Sequence, residues 1–339
     1  MQSRSQTINH KFAVAPMLDW TDRHCRYFLR QLSTESVLYT EMVTTGAILH
    51  GKGDYLAFDD AEHPIVLQLG GSDPEAMSKC AVIAQTRGYD EININVGCPS
   101  DRVKNGSFGA CLMATPEIVA HCVDAMTSAV DIPITVKCRI GIDDMDDDAG
   151  LFEFVDKVQA AGCLHFIIHA RKAWLNGLSP KQNRDIPPLN YQRVYDLKKQ
   201  FPQLKIGING GIKSIDSAVE HLQYVDGVML GREVYTNPYI IADVDHRLFA
   251  LPQDTTKTRE QVVSKMTAYA EQEVSKGAKV WFIARHMLGL FHGQPGGKIW
   301  RRYLTQECPK QNTNPSLLLD ALAQVKAAQE KALTFSQNN

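Results

Sequence analysis

The sequence predicts a closed (β/α)8 TIM barrel followed by a small α-helical domain, the barrel over residues 1–250 and the helical domain over 251–339. Three observations carry this. Eight β-rich runs alternate with helical segments up to about residue 245; those segments place apolar residues at i, i+3, i+4 and i+7; and beyond about residue 252 the pattern is helical throughout. Strand–helix alternation repeated this often closes a barrel, whereas an open doubly wound sheet more often has fewer strands and an early glycine-rich fingerprint.

Taken in order, the strands are expected at FAVAPML (12–18), SVLYTEMV (36–43), PIVLQLGG (64–71), EININVGC (91–98), PITVKCRIG (133–141), FIIHAR (166–171), KIGINGG (205–211) and GVMLGR (227–232). The helices between them show one apolar face: Cys25, Phe28, Leu29 and Leu32; Met77, Cys80, Ala81 and Ala84; Val119, Cys122, Val123 and Met126; Leu151, Phe154, Val155 and Val158; Ile215, Ala218, Val219 and Leu222. Ser72-Asp73-Pro74 and Thr115-Pro116 supply a capping oxygen and an early proline, and Gly88 and Gly162 stand where helices should stop. The segments from Thr255 to Leu304 and from Pro315 to Leu333 make the helical domain.

A chain of 339 residues that is 44% hydrophobic has enough apolar surface to bury a large core, so disorder is not expected. The formal net charge of −2 excludes a protein that coats nucleic acid by bulk charge but leaves room for a local basic patch. The start MQSRSQTINHK is polar, and no run approaches the roughly 18 apolar residues of a membrane span; a cytoplasmic monomer without membrane attachment is the expectation. The cysteines show no C-x-x-C spacing, so neither a disulfide framework nor a metal site is expected. The acidic run DDMDDDAG (143–150) lacks the glycine and glutamate of a calcium loop and reads as a cap on the following helix.

In such a barrel the C-terminal ends of the strands face one mouth. Those ends carry Ala15-Pro16-Met17, Glu41, Gln68, Asn95 with Cys98, Lys137 with Arg139, His169 with Arg171, Asn209-Gly210-Gly211 and Gly231-Arg232. A polar residue on an apolar strand costs stability unless it is paired, and here almost every strand has one. Glycines after strands seven and eight let backbone amides approach an anion at the usual phosphate cradle of this fold. Lys137 across the barrel suits negative charge on a reduced isoalloxazine ring, and Gln68 suits its pyrimidine edge. The set describes a flavin mononucleotide (FMN) site.

The blocks APMLDWTDRHCR, LQLGGSDP, NINVGCPSDRV, GACLM, VKCRIGID, FIIHARKAWLNGLSPKQNR, INGGI and MLGREVYTNP together resemble the FMN-dependent tRNA-dihydrouridine synthases, most of all their DusA subgroup. The similarity continues into ARHMLGLFHGQPGGKIWRRYL, where Gly297-Lys298 departs from the expected arginine. The resemblance implies that NADPH reduces FMN and that tRNA D-loop uridines 20 and 20a become 5,6-dihydrouridine. It implies that Pro16 and Met17 line the flavin ring, that Gln68, Lys137 and His169 bind it, and that Asn209, Gly210, Gly211, Gly231 and Arg232 hold its phosphate.

Uracil's C5=C6 bond is conjugated with the C4 carbonyl, so hydride addition at C6 leaves C5 to be protonated. A thiol, with an ordinary pKa of about 8.5, is mostly protonated at neutral pH and acidic enough for that step, which assigns catalysis to Cys98. Asn95 is expected to read the uracil edge, Arg139, Arg171 and Lys172 to contact substrate, and the loop SDRVKNGSFGAC to close over the base. Cys111, between Ala110 and Leu112, is expected only to pack. In the helical domain, Lys276, Lys279, Arg285, His286, Lys298, Arg301 and Arg302 interleave with Trp281, Phe282 and Trp300, a composition suited to RNA. Lys181 and Arg184 extend the basic set. Two other readings stay open: a flavin reductase acting on a free pyrimidine, and a tRNA-binding protein without catalysis.

Overall fold

Eight parallel strands pair in chain order and the last returns to the first, closing the barrel in the computed structural model, which describes residues 8–100, 106–145, 147–310 and 313–337. The strands are β1 (Phe12–Val14), β2 (Val37–Thr44), β3 (Ile65–Gly70), β4 (Glu91–Val96), β5 (Ile134–Arg139), β6 (His165–His169), β7 (Lys205–Asn209) and β8 (Gly227–Leu230). Most stop two residues short of the expected ends. Past Val14, Val96, His169, Asn209 and Leu230 the chain leaves the ladder, and there it carries the mouth residues.

Side chains alternate between the two faces of each strand. On one face Ala13, Ala15, Val37, Tyr39, Val66, Ile167 and Met229 form an apolar cluster inside the barrel. On the other, Phe12, Leu67, Ile92, Val136, Phe166 and Ile208 are buried toward the helices. Burying each such side chain contributes about 1.5–3 kcal/mol.

The connecting helices are α1 (Arg23–Arg30), α2 (Thr45–His50), α3 (Pro74–Arg87), α4 (Pro116–Thr127), α5 (Asp148–Ala160), α6 (Tyr191–Gln200), α7 (Ile215–His221) and α8 (Arg232–Thr236). Asp73 caps α3 through the Ala76 amide at 2.8 Å, and Gly88 ends it with a φ of 94°. Asp147, from the acidic run, caps α5 through the Gly150 amide at 3.1 Å. Thr115 differs from expectation: it precedes α4 without a side-chain capping bond.

Two compact units divide the chain at other boundaries than residue 250. One comprises Met1–Asp19 and Ser36–Gly231, the other Trp20–Glu35 and Arg232–Asn339. The second unit claims α1 because that segment's partners lie far along the chain. Trp20 stacks on Tyr235 at 4.3 Å and Tyr27 on Tyr269 at 3.8 Å. Asp22 pairs with Arg285 at 2.5 Å and with His286 at 3.0 Å, which holds its carboxyl well below the ordinary range despite burial. After α8 this unit contains α9 (Val244–Phe249), α10 (Arg259–Ser275), α11 (Val280–Ala284), α12 (Gly297–Glu307) and α13 (Leu317–Gln337). Gly297 opens α12 where a Cβ would lie 2.2 Å from the Phe291 carbonyl oxygen, so only glycine fits there.

Candidate active site at the barrel mouth

Inside the barrel, polar side chains of β3, β4 and β5 form one directed chain of hydrogen bonds. The Cys98 amide donates to Asn95 Oδ1 at 3.0 Å and the Gly97 amide to the same oxygen at 3.1 Å. Asn95 Nδ2 donates to Gln68 Oε1 at 2.8 Å, and Gln68 Nε2 to Asn93 Oδ1 at 2.8 Å. Asn93 Nδ2 donates to Thr135 Oγ1 at 3.1 Å, and Thr135 to Glu91 Oε1 at 2.8 Å. Every donor points toward the buried carboxylate, so each bond polarises the next. The strand register sets this up: Gln68 is opposite Asn93, and Asn93 opposite Thr135.

Two of the expected mouth residues, Gln68 and Asn95, belong to this chain of hydrogen bonds. Gln68 is 1% exposed and its carboxamide is engaged at both ends within the barrel. Asn95, expected to read a uracil edge, holds the backbone of the turn that presents Cys98. Sequence reasoning passed over Glu91, Asn93 and Thr135 because it read only the strand ends. Their signal was in EININV and ITVKCR, where polar residues recur at every second position and share a face.

Cys98 itself is half-buried, with Sγ 3.4 Å from Ser100 Oγ, and its carbonyl accepts the Ala110 amide at 2.9 Å. The turn is fixed from the other side by Arg139, whose Nε donates to the Gly97 carbonyl at 2.8 Å. The same guanidinium donates to the carbonyls of Lys172 at 2.9 Å and Asn183 at 3.0 Å. Arg139 is 4% exposed, and burial pulls it down to about 10 without discharging it at neutral pH. The group expected to contact substrate thus clamps three backbone carbonyls. Arg171 likewise donates to the Pro187 carbonyl, and Lys172 to the Asp143 carbonyl at 2.7 Å while lying 4.8 Å from the Trp174 ring centre. Cys111 donates to the Phe108 carbonyl at 3.1 Å. Of the loop expected to close over the base, residues 101–105 lie outside the described residues.

Lys137 stands next to Asn95 in the register of β5 on β4. It is half-buried, and among the described residues it has no hydrogen-bonding or ion-pair partner. Burial, reinforced by Arg139, pushes its ammonium down to about 8. A cation held there without a counter-charge suits an anionic ligand. On the next two strands, His169 and Asn209 lie side by side on β6 and β7, and Asn209 Nδ2 donates to the Met229 carbonyl at 2.7 Å. Gly210 and Gly211 follow with φ of 115° and 73°, a conformation that a side chain resists. A Cβ on Gly211 would fall 2.5 Å from Leu189 and 2.8 Å from the Tyr191 hydroxyl. A Cβ on Gly231 would meet Ala15 at 3.4 Å and the Met17 sulfur at 3.7 Å, ordinary contact distances. These residues fit a flat, phosphate-bearing, anionic group such as FMN. Arg232 opens α8 and is the first residue of the second unit's C-terminal segment.

In the second unit, Lys298, Arg301 and Arg302 are exposed on α12 at helical spacing, and Lys279 and Phe282 are exposed near α11. Lys276 pairs with Glu273 at 2.9 Å. Trp300 is fully buried, and Arg285 and His286 are engaged by Asp22, so these three leave the expected RNA-facing set.

A family model described as Dihydrouridine synthase (Dus) matches residues 13–331. A "tRNA-dihydrouridine(20/20a) synthase" of Salmonella typhi is 60% identical over 315 residues, covering 92% of this chain and 94% of that protein. Those of Vibrio parahaemolyticus (58% identity, 94% and 98% covered) and Escherichia coli K12 (60%, 92% and 90%) are similarly close. Among solved structures, a 2-naphthoyl-CoA reductase complex matches with a TM-score of 0.53 at 10% identity, covering 76% of this chain and 53% of that one, a likeness of fold alone.

Proposed function

Because the chain belongs to the dihydrouridine synthase family, we propose that it reduces uridines 20 and 20a of the tRNA D-loop to 5,6-dihydrouridine, with FMN as resident cofactor and NADPH as reductant. The observation that carries this reading is the half-buried Cys98 thiol at the barrel mouth, on a turn held by Asn95 and Arg139, with the uncompensated Lys137 on the neighbouring strand.

When bound, a reduced flavin would supply the hydride that adds at uracil C6. Cys98 donates its proton to C5 as negative charge develops there, and the thiolate is then reprotonated from solvent. Asn95 and Arg139 act as positioning residues by fixing the amides and the carbonyl of the turn, so that the sulfur need not be ordered at the moment of reaction. Lys137 offsets negative charge on the cofactor, with Pro16, Met17, Gln68 and His169 around the ring and Asn209, Gly210, Gly211 and Gly231 at its phosphate. A D-loop base must leave its stack to reach such a site, which requires backbone contacts elsewhere on the RNA; Lys298, Arg301 and Arg302 supply the charge for them.

The test is reduction of an unmodified tRNA transcript by the purified protein with FMN and NADPH, followed by mass mapping. A gain of two hydrogens confined to D-loop uridines is expected. Turnover of free uracil with no change in the tRNA would replace this reading with that of a small-molecule reductase.

A further inference from the structure

At the end of the barrel opposite Cys98, His10, Glu91 and His165 come together from the residues before β1 and from the starts of β4 and β6. One potential ligand atom from each lies within 4.8 Å of the other two. Glu91 and His165 are buried, and the His10 side chain is 10% exposed, which leaves a narrow path to solvent.

The partners of these groups are incomplete in a directed way. Glu91 Oε1 is held by Thr135 at 2.8 Å, with the Tyr39 hydroxyl at 3.5 Å. Glu91 Oε2 is left without a hydrogen bond although His10 Nε2 is only 2.9 Å away. Two donor atoms that close without a proton aligned between them have the relation of ligands sharing a third atom. His165 Nδ1 and His10 Nδ1 are also buried without hydrogen-bond partners. The two imidazoles pack with ring centres 4.1 Å apart.

The backbone makes room for the cluster. Gly207 and Gly227 face each other in the β7–β8 register, and a Cβ on Gly227 would lie 2.3 Å from the His10 carbonyl oxygen. A Cβ on Gly207 would already sit 3.7 Å from His165 Nε2.

We infer that His10, Glu91 and His165 form a binding site for one divalent transition-metal ion of the zinc class, with a solvent-derived fourth ligand entering beside His10. Two imidazoles and one carboxylate select zinc, cobalt or nickel over calcium and magnesium, which require mostly oxygen donors. The bond from Thr135 to Oε1 is the orienting contact that leaves the other carboxylate oxygen for the metal. Zinc bonds of about 2.0–2.1 Å place donors roughly 3.3 Å apart, so the widest pair closes by at most about 1.5 Å, within reach of imidazole rotation. The site differs from the expectation of no metal, which considered cysteine spacing and the acidic run 143–150.

The test uses the full-length protein, freed of metal with a chelator and titrated with Zn2+ alone against a chromophoric competitor, with melting temperature as a second readout. Wild type and Cys98→Ala are expected to bind one equivalent with a rise in melting temperature. His10→Gln and His165→Gln are expected to weaken that equivalent at least tenfold and to lose the rise. His10→Gln lies at the solvent edge and preserves the test if His165→Gln does not fold. Binding in either folded variant as tight as in wild type, or no zinc equivalent in wild type, overturns the inference. So does a cobalt complex with a thiolate charge-transfer band, which would place the ion on a cysteine.

Discussion

Asn95 Oδ1 accepts the backbone amide of Cys98 at 3.0 Å, so the orientation of the reactive turn is set by a side chain three residues earlier, on β4. Asn95→Ala leaves two amides without this acceptor and Gln68 Oε1 without its donor. Dihydrouridine formation is expected to fall about 10- to 100-fold in kcat, with FMN binding and its reduction by NADPH little changed. Asn95→Asp keeps the acceptor and should recover part of the loss. A defect in tRNA KM alone would instead support a direct contact between Asn95 and uracil.

Replacing Cys98 with Ala is expected to retain FMN and its reduction by NADPH while abolishing product. Stopped-flow flavin absorbance and nucleoside mass analysis separate the two half-reactions. A normal yield of dihydrouridine would remove this thiol as the acid.

FMN affinity should be level below about pH 8 and fall by up to about tenfold per pH unit above it. The reason is that Lys137 in the ligand-free protein loses its proton near 8, and an anionic ligand favours the protonated form. The sign for folding is the reverse. Its folded pKa lies below the ordinary 10.5, so the unfolded chain holds more protons between about 8 and 10.5, and Lys137 makes stability rise with pH in that window. Lys137→Met should bind FMN more weakly with a flatter pH profile; an unchanged slope would separate this lysine from the cofactor.

Arg139→Lys cannot reproduce three donations to the carbonyls of Gly97, Lys172 and Asn183. A loss of about 1–3 kcal/mol is expected, read as a lowered urea midpoint. A variant that unfolds normally but no longer binds tRNA would return Arg139 to the substrate-contacting set.

Charge reversal at Arg301 and Arg302 should raise the KM for tRNA several-fold and reduce its salt dependence, with flavin reduction unchanged. Unaltered tRNA affinity would defeat the assignment of α12 to RNA.

Strand count, barrel closure and the polar mouth residues were legible because each depends on local signals: period-2 runs, one-sided helices, and the glycines at 88, 162, 210 and 211. The thiol Cys98 was found from its place after β4 and from resemblance to a family. Less legible was the division of labour at the mouth. Arg139 and Lys137 lie two apart on one strand and read alike in the sequence, yet one is bound to three carbonyls and the other has no partner.

The sequence by itself thus determined which side chains enter the barrel, because pleat alternation is a property of each strand alone. Only the tertiary structure decided which of them are mutually satisfied, since that depends on register between strands and on loops such as 172–183. The same holds for His10, Glu91 and His165, which meet because strand starts distant in sequence share one end of a closed barrel.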